Sequence, residues 1–254
     1  MKNLSVVVIT RNRLAKLRRC LESIEAVLPQ AEIIVVDNGS MDGTVAYLKS
    51  ASRIIPVTLP YNHGVAGARN VGIKKVSTEF VMFLDDDAWL DHFDWHKVRV
   101  HLDVHPRIGV IAPRLLYPNG TVQESVRSFP TVAALIWRGL RLYKLFPNVS
   151  WYLNYIRRES TEITEVDWAI GACQIIRRSL FESDHVGLLD ENYFFGYEDA
   201  DFCRRAKKCG YSSVFWPDAT IFHEYARTSA RGINISLLRH LKSICRYFYK
   251  AHTI

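Results

Sequence analysis

Residues 80–87 read FVMFLDDD, an apolar run followed at once by Asp85, Asp86 and Asp87. Such a run is typical of a buried strand, and its end is where the chain leaves the sheet and can line a cleft. Adjacent carboxylates repel and raise one another's pKa, so a divalent cation is a favourable counter-charge. The stretch therefore predicts a metal site at a strand end. The alternative is a solvated loop whose aspartates cap a helix.

The segments around this stretch alternate between strand patterns and helix patterns. Residues 4–10 are β-branched and apolar, and a helical stripe runs from Leu14 to Leu28 before Pro29 ends it. Further strands are predicted at 32–36, 54–59, 79–84, 110–116, 166–177 and 212–215, and further helices at 45–50, 66–76 and 199–209. The pattern predicts an α/β fold with a doubly wound, mostly parallel sheet flanked by helices.

Polar residues follow three of these strands directly, at 10–11, 37–38 and 85–87. Ligands bind at the carboxyl ends of strands in such sheets, so the three segments should line one site. A dinucleotide dehydrogenase is excluded because no Gly-x-Gly-x-x-Gly follows the first strand. A sugar-nucleotide pyrophosphorylase would need a glycine-rich loop there, and residues 10–13 (TRNR) contain no glycine.

Composition indicates a globular chain. It has 254 residues, is 48% hydrophobic and contains no apolar run long enough to span a membrane. The N-terminus lacks a signal-peptide pattern, and the five cysteines are scattered. We expect a cytoplasmic chain with reduced cysteines.

The net charge of +7 is unevenly distributed. Windows 125–158 and 225–254 each hold six Lys or Arg and no Asp or Glu, whereas the rest of the chain is acidic on balance. Neither window resembles a nucleic-acid module, so no nucleic-acid partner is expected. Both interleave cations with Trp, Tyr, Leu and Ile, which suits peripheral contact with an anionic membrane.

The second window predicts a basic amphipathic helix. From Ile235, apolar residues recur at Leu238, Leu241, Cys245 and Phe248. Periodicity alone does not say what covers the apolar face. A membrane, the rest of this chain and the partner in a homodimer remain alternatives.

Five segments together resemble the family 2 inverting glycosyltransferases, which have the GT-A fold. They are VVVITRNR at 6–13, VVDNGSMDGT at 35–44, NHGVAGARNVG at 62–72, LDDDA at 84–88 and FGYEDADFCRRAKKCGY at 195–211. The resemblance implies a GT-A domain over 1–224, with a nucleotide-binding half at about 1–115 and an acceptor half at about 116–224, followed by the helical region 225–254. The loop at 67–70 is similar to that of bacterial rhamnosyltransferase-like members, although GARN replaces the Gly-Gly-Asn-Asn often found there.

The resemblance also assigns the metal and catalytic residues. It implies that Asp85, Asp87 and His223 bind Mn²⁺ or Mg²⁺, and that Asp199 is the general base beside Glu198. An isolated histidine is more often structural, and acidic residues also favour helix N-termini, so both alternatives stay open.

Donor and acceptor residues follow in the same way. The implied donor-binding residues are Thr10, Arg11, Asp37, Asn62, Gly64, Arg69, Asn70, Asp85 and Asp86. The implied acceptor-binding residues are Trp168, Gly171 and Ala172. Three alternatives remain: an Asx-turn at Asp37, a surface ion pair at Arg69 and a core role for Trp168.

The function implied is metal-dependent, inverting transfer of one sugar from a nucleotide-diphosphate donor, such as dTDP-rhamnose or a UDP-sugar. The acceptor would be a hydroxyl of a cell-surface glycan or a lipid-linked acceptor at the inner face of the membrane. Processive members carry Gln-x-x-Arg-Trp after the base, and this chain does not. The alternative is a catalytically degenerate nucleotide-binding scaffold in a glycan-assembly complex.

Overall fold

The computed structural model describes residues 3–156, 160–225 and 235–253. The strands are β1 Leu4–Thr10, β2 Glu32–Asp37, β3 Ile54–Thr58, β4 Phe80–Asp85, β5 Ala88–His92, β6 Ile108–Leu116, β7 Val126–Arg127, β8 Thr164–Val166, β9 Trp168–Ala169, β10 Cys173–Arg177 and β11 Ser212–His223. The helices are α1 Leu14–Val27, α2 Thr44–Ser50, α3 Gly64–Ile73, α4 Trp95–Val104, α5 Val132–Gly139, α6 Leu142–Leu145, α7 Ser150–Ile156, α8 Arg178–Glu182, α9 Glu198–Lys208 and α10 Ile235–Thr253.

A large mixed sheet forms the centre of the described chain, in the order β3-β2-β1-β4-β10-β6-β11-β5, and β8 pairs with β11. The first four strands in this order are parallel. Strand β10 then runs antiparallel between β4 and β6, while β11 is parallel to β6. The predicted α/β fold with a central sheet flanked by helices is confirmed, and the four strands β3-β2-β1-β4 form its continuous parallel part.

Helices cover both faces of the sheet, so β1 is buried on both sides. Val6 and Val8 pack with α1, whereas Val7 lies in the second apolar cluster with α3 and α9. This alternation gives the strand its continuous apolar sequence. The parallel register places Thr10 beside Asp37 and Ile9 beside Asp85, so the polar segments after three strands meet at one edge.

The prediction of one strand over 166–177 is wrong. The segment divides into the end of β8, then β9, which pairs with β7 in a separate two-stranded sheet, and finally β10 in the main sheet. Between β8 and β10 the chain leaves the main sheet, and its polar groups form hydrogen bonds with other segments. Asp167 accepts a hydrogen bond from the Phe129 amide, and the Gly171 amide donates to Asp199.

The C-terminal helix α10 docks on the chain itself. Tyr247 and Ser243 are buried against the segment before α9, whereas Leu238, Leu241 and Cys245 of the predicted apolar stripe are exposed. The segment 226–234 of the second window lies outside the described residues. Within the part of the chain that the structure describes, no helix is both long and apolar enough to cross a bilayer.

Candidate active site

Asp85, Asp87 and His223 form a group that could hold a metal ion, with one ligand atom of each lying within 4.8 Å of the others. Nε2 of His223 is 3.4 Å from Asp87 Oδ1 and 4.0 Å from Asp85 Oδ2. The carboxylates come from the end of β4 and the turn after it, and β5 aligns Ala88 with His223. Two carboxylates and an imidazole suit a divalent ion such as Mn²⁺. These are the three residues for which the sequence predicts metal binding.

Gln123 orients His223 through two hydrogen bonds. Its Nε2 donates to the His223 carbonyl, and its Oε1 lies 3.0 Å from Nδ1 of the ring. The amide orientation therefore assigns the Nδ1 proton to the bond with Gln123. Nε2 faces the two carboxylates, and in the neutral ring its lone pair is available to a cation between them. No motif marks Gln123, which is 100 residues from His223 in the chain.

Asp86 points away from this group. Thr10 Oγ1 donates to it at 2.7 Å and Arg13 Nη1 at 3.0 Å. Burial raises the pKa of Asp86 to about 6, although Arg13 opposes the shift. Arg13 also lies 3.2 Å from Asp87, so it bridges two of the three aspartates. Arg13 is not among the residues for which the sequence predicts a role.

Glu198 and Asp199 begin α9, after a turn in which Gly196 and Tyr197 have φ of 81° and 73°. Asp199 accepts hydrogen bonds from the amides of Gly171, at 2.9 Å, and Ala200, at 2.8 Å. One oxygen of Glu198 is buried and has no hydrogen-bond partner among the described residues.

The two carboxyl groups titrate as a pair. Burial raises the pKa of Asp199, while burial and the charge of Asp199 raise the pKa of Glu198 to about 8. Backbone amides stabilise the charged form of Asp199, so Asp199 ionises first and Glu198 keeps its proton near neutral pH. Asp199 is therefore the better placed of the two to accept a proton.

Arg69 connects the carboxylate pair to the metal group. It is only 3% exposed, which excludes a surface ion pair. Its Nη2 donates to Asp85 at 2.8 Å and to the Gly171 carbonyl at 2.7 Å, and its Nη1 lies 3.7 Å from Glu198. A Cβ at Gly171 would lie 2.3 Å from Nη1, so a larger residue here would displace the guanidinium from its present position.

Asp37 has one free oxygen. Its Oδ2 accepts from the Ser40 amide, which is the predicted Asx-turn, while Oδ1 is buried and has no hydrogen-bond partner among the described residues. An unpaired buried acceptor is costly, and a nucleobase N–H is a suitable donor for it. The turn and the predicted donor contact are compatible at this residue.

The other predicted donor residues differ in their surroundings. Asn62 accepts from Asn38 Nδ2 and from the Gly64 amide, and Gly64 has a positive φ beside Phe194. Asn70 exchanges hydrogen bonds with the backbone of Leu189 and donates to Glu191. Arg11 is exposed. Asn62 and Asn70 therefore hold loops in this structure, and their donor contacts stay predictions.

Among the three predicted acceptor residues, Gly171 lies next to the carboxylate pair. Gly171 contacts Asp199 and Arg69 through its backbone, and the carbonyl of Ala172 accepts from the Asp85 amide. Trp168 is buried and donates from Nε1 to the Ser128 carbonyl. This environment favours the core role for Trp168, and stacking on a sugar stays a prediction.

Comparison with known proteins identifies the family. Residues 5–184 match the family described as Glycosyl transferase family 2. The matched region includes the three aspartates and ends before Glu198, Asp199 and His223.

Two relatives are similar over most of this chain. N-acetylglucosaminyl-diphospho-decaprenol L-rhamnosyltransferase of Mycobacterium tuberculosis is 29% identical, covering 98% of this chain and 85% of the relative. Low-salt glycan biosynthesis hexosyltransferase Agl10 of Haloferax volcanii is 27% identical, covering 81% and 62% respectively.

Solved structures share the fold. The mannosyltransferase PcManGT of Pyrobaculum calidifontis, in complex with GDP-Man and Mn²⁺, has a TM-score of 0.67 at 18% identity and covers 100% of this chain and 65% of its own. TarS 1–349 of S. aureus has a TM-score of 0.61 at 21% identity, covering 88% and 60%. The chain belongs to glycosyl transferase family 2, and it is a glycosyltransferase with the GT-A fold.

Proposed function

We propose that this chain is a metal-dependent, inverting glycosyltransferase that moves one sugar from a nucleotide-diphosphate donor to a hydroxyl group. One observation carries the proposal: a single buried guanidinium, that of Arg69, lies between the metal group and the carboxylate pair. A group that can neutralise a diphosphate therefore adjoins a group that can take a proton, as sugar transfer requires.

The donor side would bind the nucleotide at the carboxyl ends of β1, β2 and β4. Oδ1 of Asp37 would accept a hydrogen bond from the base. Asp85, Asp87 and His223 would hold a divalent cation, which when bound supplies positive charge to the departing diphosphate. Arg13 lies against Asp86 and Asp87 and would add a second cationic group near the phosphates.

Asp199 would act on the acceptor. Its carboxylate would take the proton of the acceptor hydroxyl as that oxygen attacks the anomeric carbon of the donor sugar. The bond from the anomeric carbon to the diphosphate oxygen would break with both electrons passing to the diphosphate, so the configuration at that carbon inverts. The raised pKa of Asp199 makes it a stronger base than an exposed aspartate.

One relative supports a choice of donor and acceptor to test. A rhamnosyltransferase whose name specifies a diphospho-decaprenol substrate is 29% identical over nearly the whole chain. We therefore propose dTDP-rhamnose as the first donor to test, with UDP-sugars and GDP-mannose next. The acceptor would be a glycan or a sugar linked to a lipid diphosphate.

The test combines binding and turnover. UDP, dTDP and GDP are titrated calorimetrically into the protein with Mn²⁺ and again with excess chelator, and the sugar donors of the base that binds then enter a transfer assay. We expect metal-dependent binding of one nucleotide, turnover by the wild type, and Asp199→Asn that binds nucleotide but does not transfer. Tight binding without turnover on any acceptor tried would favour the scaffold, and absence of binding in both conditions would contradict the donor site.

We further propose that the two basic windows bring the acceptor half to an anionic membrane. The guanidinium of Arg204 lies 5.6 Å from the Phe129 ring and 5.4 Å from the Tyr247 ring, so the two windows adjoin each other. Large apolar side chains are exposed on both, at Val132, Ile136, Leu140, Leu145, Phe146, Trp151, Leu238 and Leu241. Cations between exposed apolar side chains suit a surface of anionic headgroups.

Vesicle pelleting tests this surface. The protein should pellet with phosphatidylcholine vesicles that contain phosphatidylglycerol, and added salt should release it. Replacing Leu145 and Phe146 with glutamate should weaken binding at least about tenfold. Val104→Glu, on α4 across the sheet, is the control. A dimer that buries the same residues, seen by analytical ultracentrifugation together with no pelleting, would contradict the membrane assignment.

A further inference from the structure

The segment 189–197, here called the base loop, leads directly into Glu198 and Asp199. It lies between α3 on one side and α10 on the other. Its last two residues, Gly196 and Tyr197, both have positive φ. A non-glycine residue such as Tyr197 is strained in that conformation unless its surroundings stabilise it. The position of Asp199 therefore depends on the contacts that hold the loop.

On the α3 side, most of the contacts are hydrogen bonds to the loop backbone. Asn70 binds the amide and the carbonyl of Leu189, and the Val65 amide donates to the Phe194 carbonyl at 3.0 Å. A Cβ at Gly64 would lie 2.6 Å from that carbonyl, which shows how closely α3 approaches.

On the α10 side, two cationic side chains form ion pairs with Asp190 at the start of the loop. Arg246 donates to Asp190 Oδ2 from Nε at 3.0 Å and from Nη2 at 2.7 Å, and Lys250 donates to the same oxygen at 3.1 Å. Burial acts to raise the pKa of Asp190, but hydrogen bonds from Asn192, Arg246 and Lys250 hold it well below its ordinary value. The carboxylate therefore stays charged and paired over the whole working pH range.

Lys250 also reaches the other end of the loop. Its Nζ lies 2.7 Å from Asp201 Oδ1, in the first turn of α9, while it also binds Asp190 near the start of the loop. One ammonium thus connects the start of the base loop to the first turn of the helix that carries the catalytic pair. Removing one partner of an ion pair with little solvent around it costs more than removing one from an exposed pair, because the other charge is left unpaired.

The middle of the loop packs against the same helix. Ser243 Oγ donates to the Phe195 carbonyl at 3.1 Å, and the Tyr247 ring lies 5.5 Å from the Tyr197 ring. A Cβ at Gly196 would lie 3.0 Å from Nδ1 of His240. Contacts from α10 therefore reach the beginning, the middle and the last residue of the loop.

We propose that α10 is a latch that positions the catalytic base, and that Arg246 and Lys250 are positioning residues acting through Asp190 and Asp201. The inference rests on the proposed function, in which Asp199 must face the acceptor hydroxyl. Small displacements of a catalytic group lower the rate far more than they lower binding. Losing the latch should therefore lower kcat and leave the donor site, built on β1, β2 and β4, unchanged.

The test uses the full chain with Arg246→Ala and Lys250→Ala. We expect kcat to fall on the order of tenfold to a hundredfold, while the Kd for nucleotide and Mn²⁺ stays within twofold. Arg246→Lys should recover part of the loss because one bond to Asp190 can reform. Lys49→Ala, an exposed lysine on α2 outside both basic windows, is the control and should leave kcat unchanged.

Hydrogen–deuterium exchange gives a second measurement that does not depend on turnover. In Arg246→Ala, exchange should increase over 189–201 and stay unchanged in β1, β2 and β4. The latch is overturned if exchange of the base loop is unaltered, if kcat stays within twofold of the wild type, or if kcat and nucleotide affinity fall by the same factor. A wild type without turnover but with faster loop exchange in the variant would contradict the proposed function and support the latch.

Discussion

Nη2 of Arg69 donates a 2.8 Å hydrogen bond to Oδ1 of Asp85, joining the buried face of α3 to the end of β4. Asp85 is one of the three residues that could hold a metal ion, so the guanidinium sets the position of a candidate ligand. The same guanidinium lies beside Glu198 on its other side. A change to its position should therefore affect both halves of the site.

Gly171→Ala should disturb Arg69 without changing any charge. The added Cβ would lie 2.3 Å from Nη1, so the buried guanidinium would have to move away from Asp85 and Glu198. We expect transfer to be lost and the free energy of unfolding to fall by about 1–3 kcal/mol. Chemical denaturation measures the second effect.

Gly139→Ala is the control for that substitution. Among the described residues, no atom beyond the helix's own backbone and the chain neighbours lies within 4 Å of a Cβ there, at the end of α5, and alanine favours helix over glycine. Its stability should equal or slightly exceed that of the wild type. If both variants unfold at the same denaturant concentration, the close fit at Gly171 is not significant.

Asp87→Asn should remove metal binding. Although burial acts to raise it, the pKa of Asp87 is lowered because His223, Arg13 and Lys16 surround the carboxylate, so a full charge is present for a cation at neutral pH. Calorimetric titration with Mn²⁺ should show affinity reduced at least about a hundredfold, with transfer lost in parallel. Asp91→Asn, an exposed aspartate on β5, should bind Mn²⁺ as the wild type does.

Gln123→Leu should weaken metal binding without removing a ligand. The substitution removes the acceptor for Nδ1 of His223, so the ring loses its fixed tautomer and orientation. Loss of such a supporting hydrogen bond typically costs about 10–100-fold in metal affinity. Excess Mn²⁺ should then restore turnover, whereas it should not restore Asp87→Asn. An unchanged Kd for Mn²⁺ would argue that His223 is structural.

The pH profile of kcat/KM should have an acid limb above the range of an ordinary aspartate, whose pKa is about 3.9. Burial raises the pKa of Asp199, and a base works only when it is ionised. Activity is thus present above that pKa and is lost as the pH falls through it. A limb at the ordinary value would mean that water reaches the carboxylate.

Glu198→Gln separates the two carboxyl groups. Burial and the charge of Asp199 raise the pKa of Glu198 to about 8, so Glu198 is protonated across the acid limb and a neutral glutamine resembles it. The limb should stay at the same pH in this variant. A shift of the limb would show that Glu198, rather than Asp199, is the group that titrates.

Local patterns in the sequence were sufficient for the parallel half of the fold. Continuous apolar runs define β1, β2 and β4, and the polar residues that follow them come together because parallel strands end at one edge. The motif at 84–88 and the separation of His223 from Asp199, through the family resemblance, also selected Asp85, Asp87 and His223, which the structure brings within reach of one ion. These features depend on neighbours in the chain or on a motif, so a sequence can carry them.

Only the tertiary structure decided which distant groups meet. The bond between Gln123 and His223 depends on how the chain after β6 returns to the end of β11, and the burial of Arg69 depends on the approach of Gly171 from another segment. Helix α10 shows the same limit: its periodicity predicted an amphipathic helix, yet Leu238 and Leu241 are exposed while Tyr247 is buried. Periodicity reports which residues share a helix face, whereas the partner of that face is set by shape and charge of segments far away in sequence.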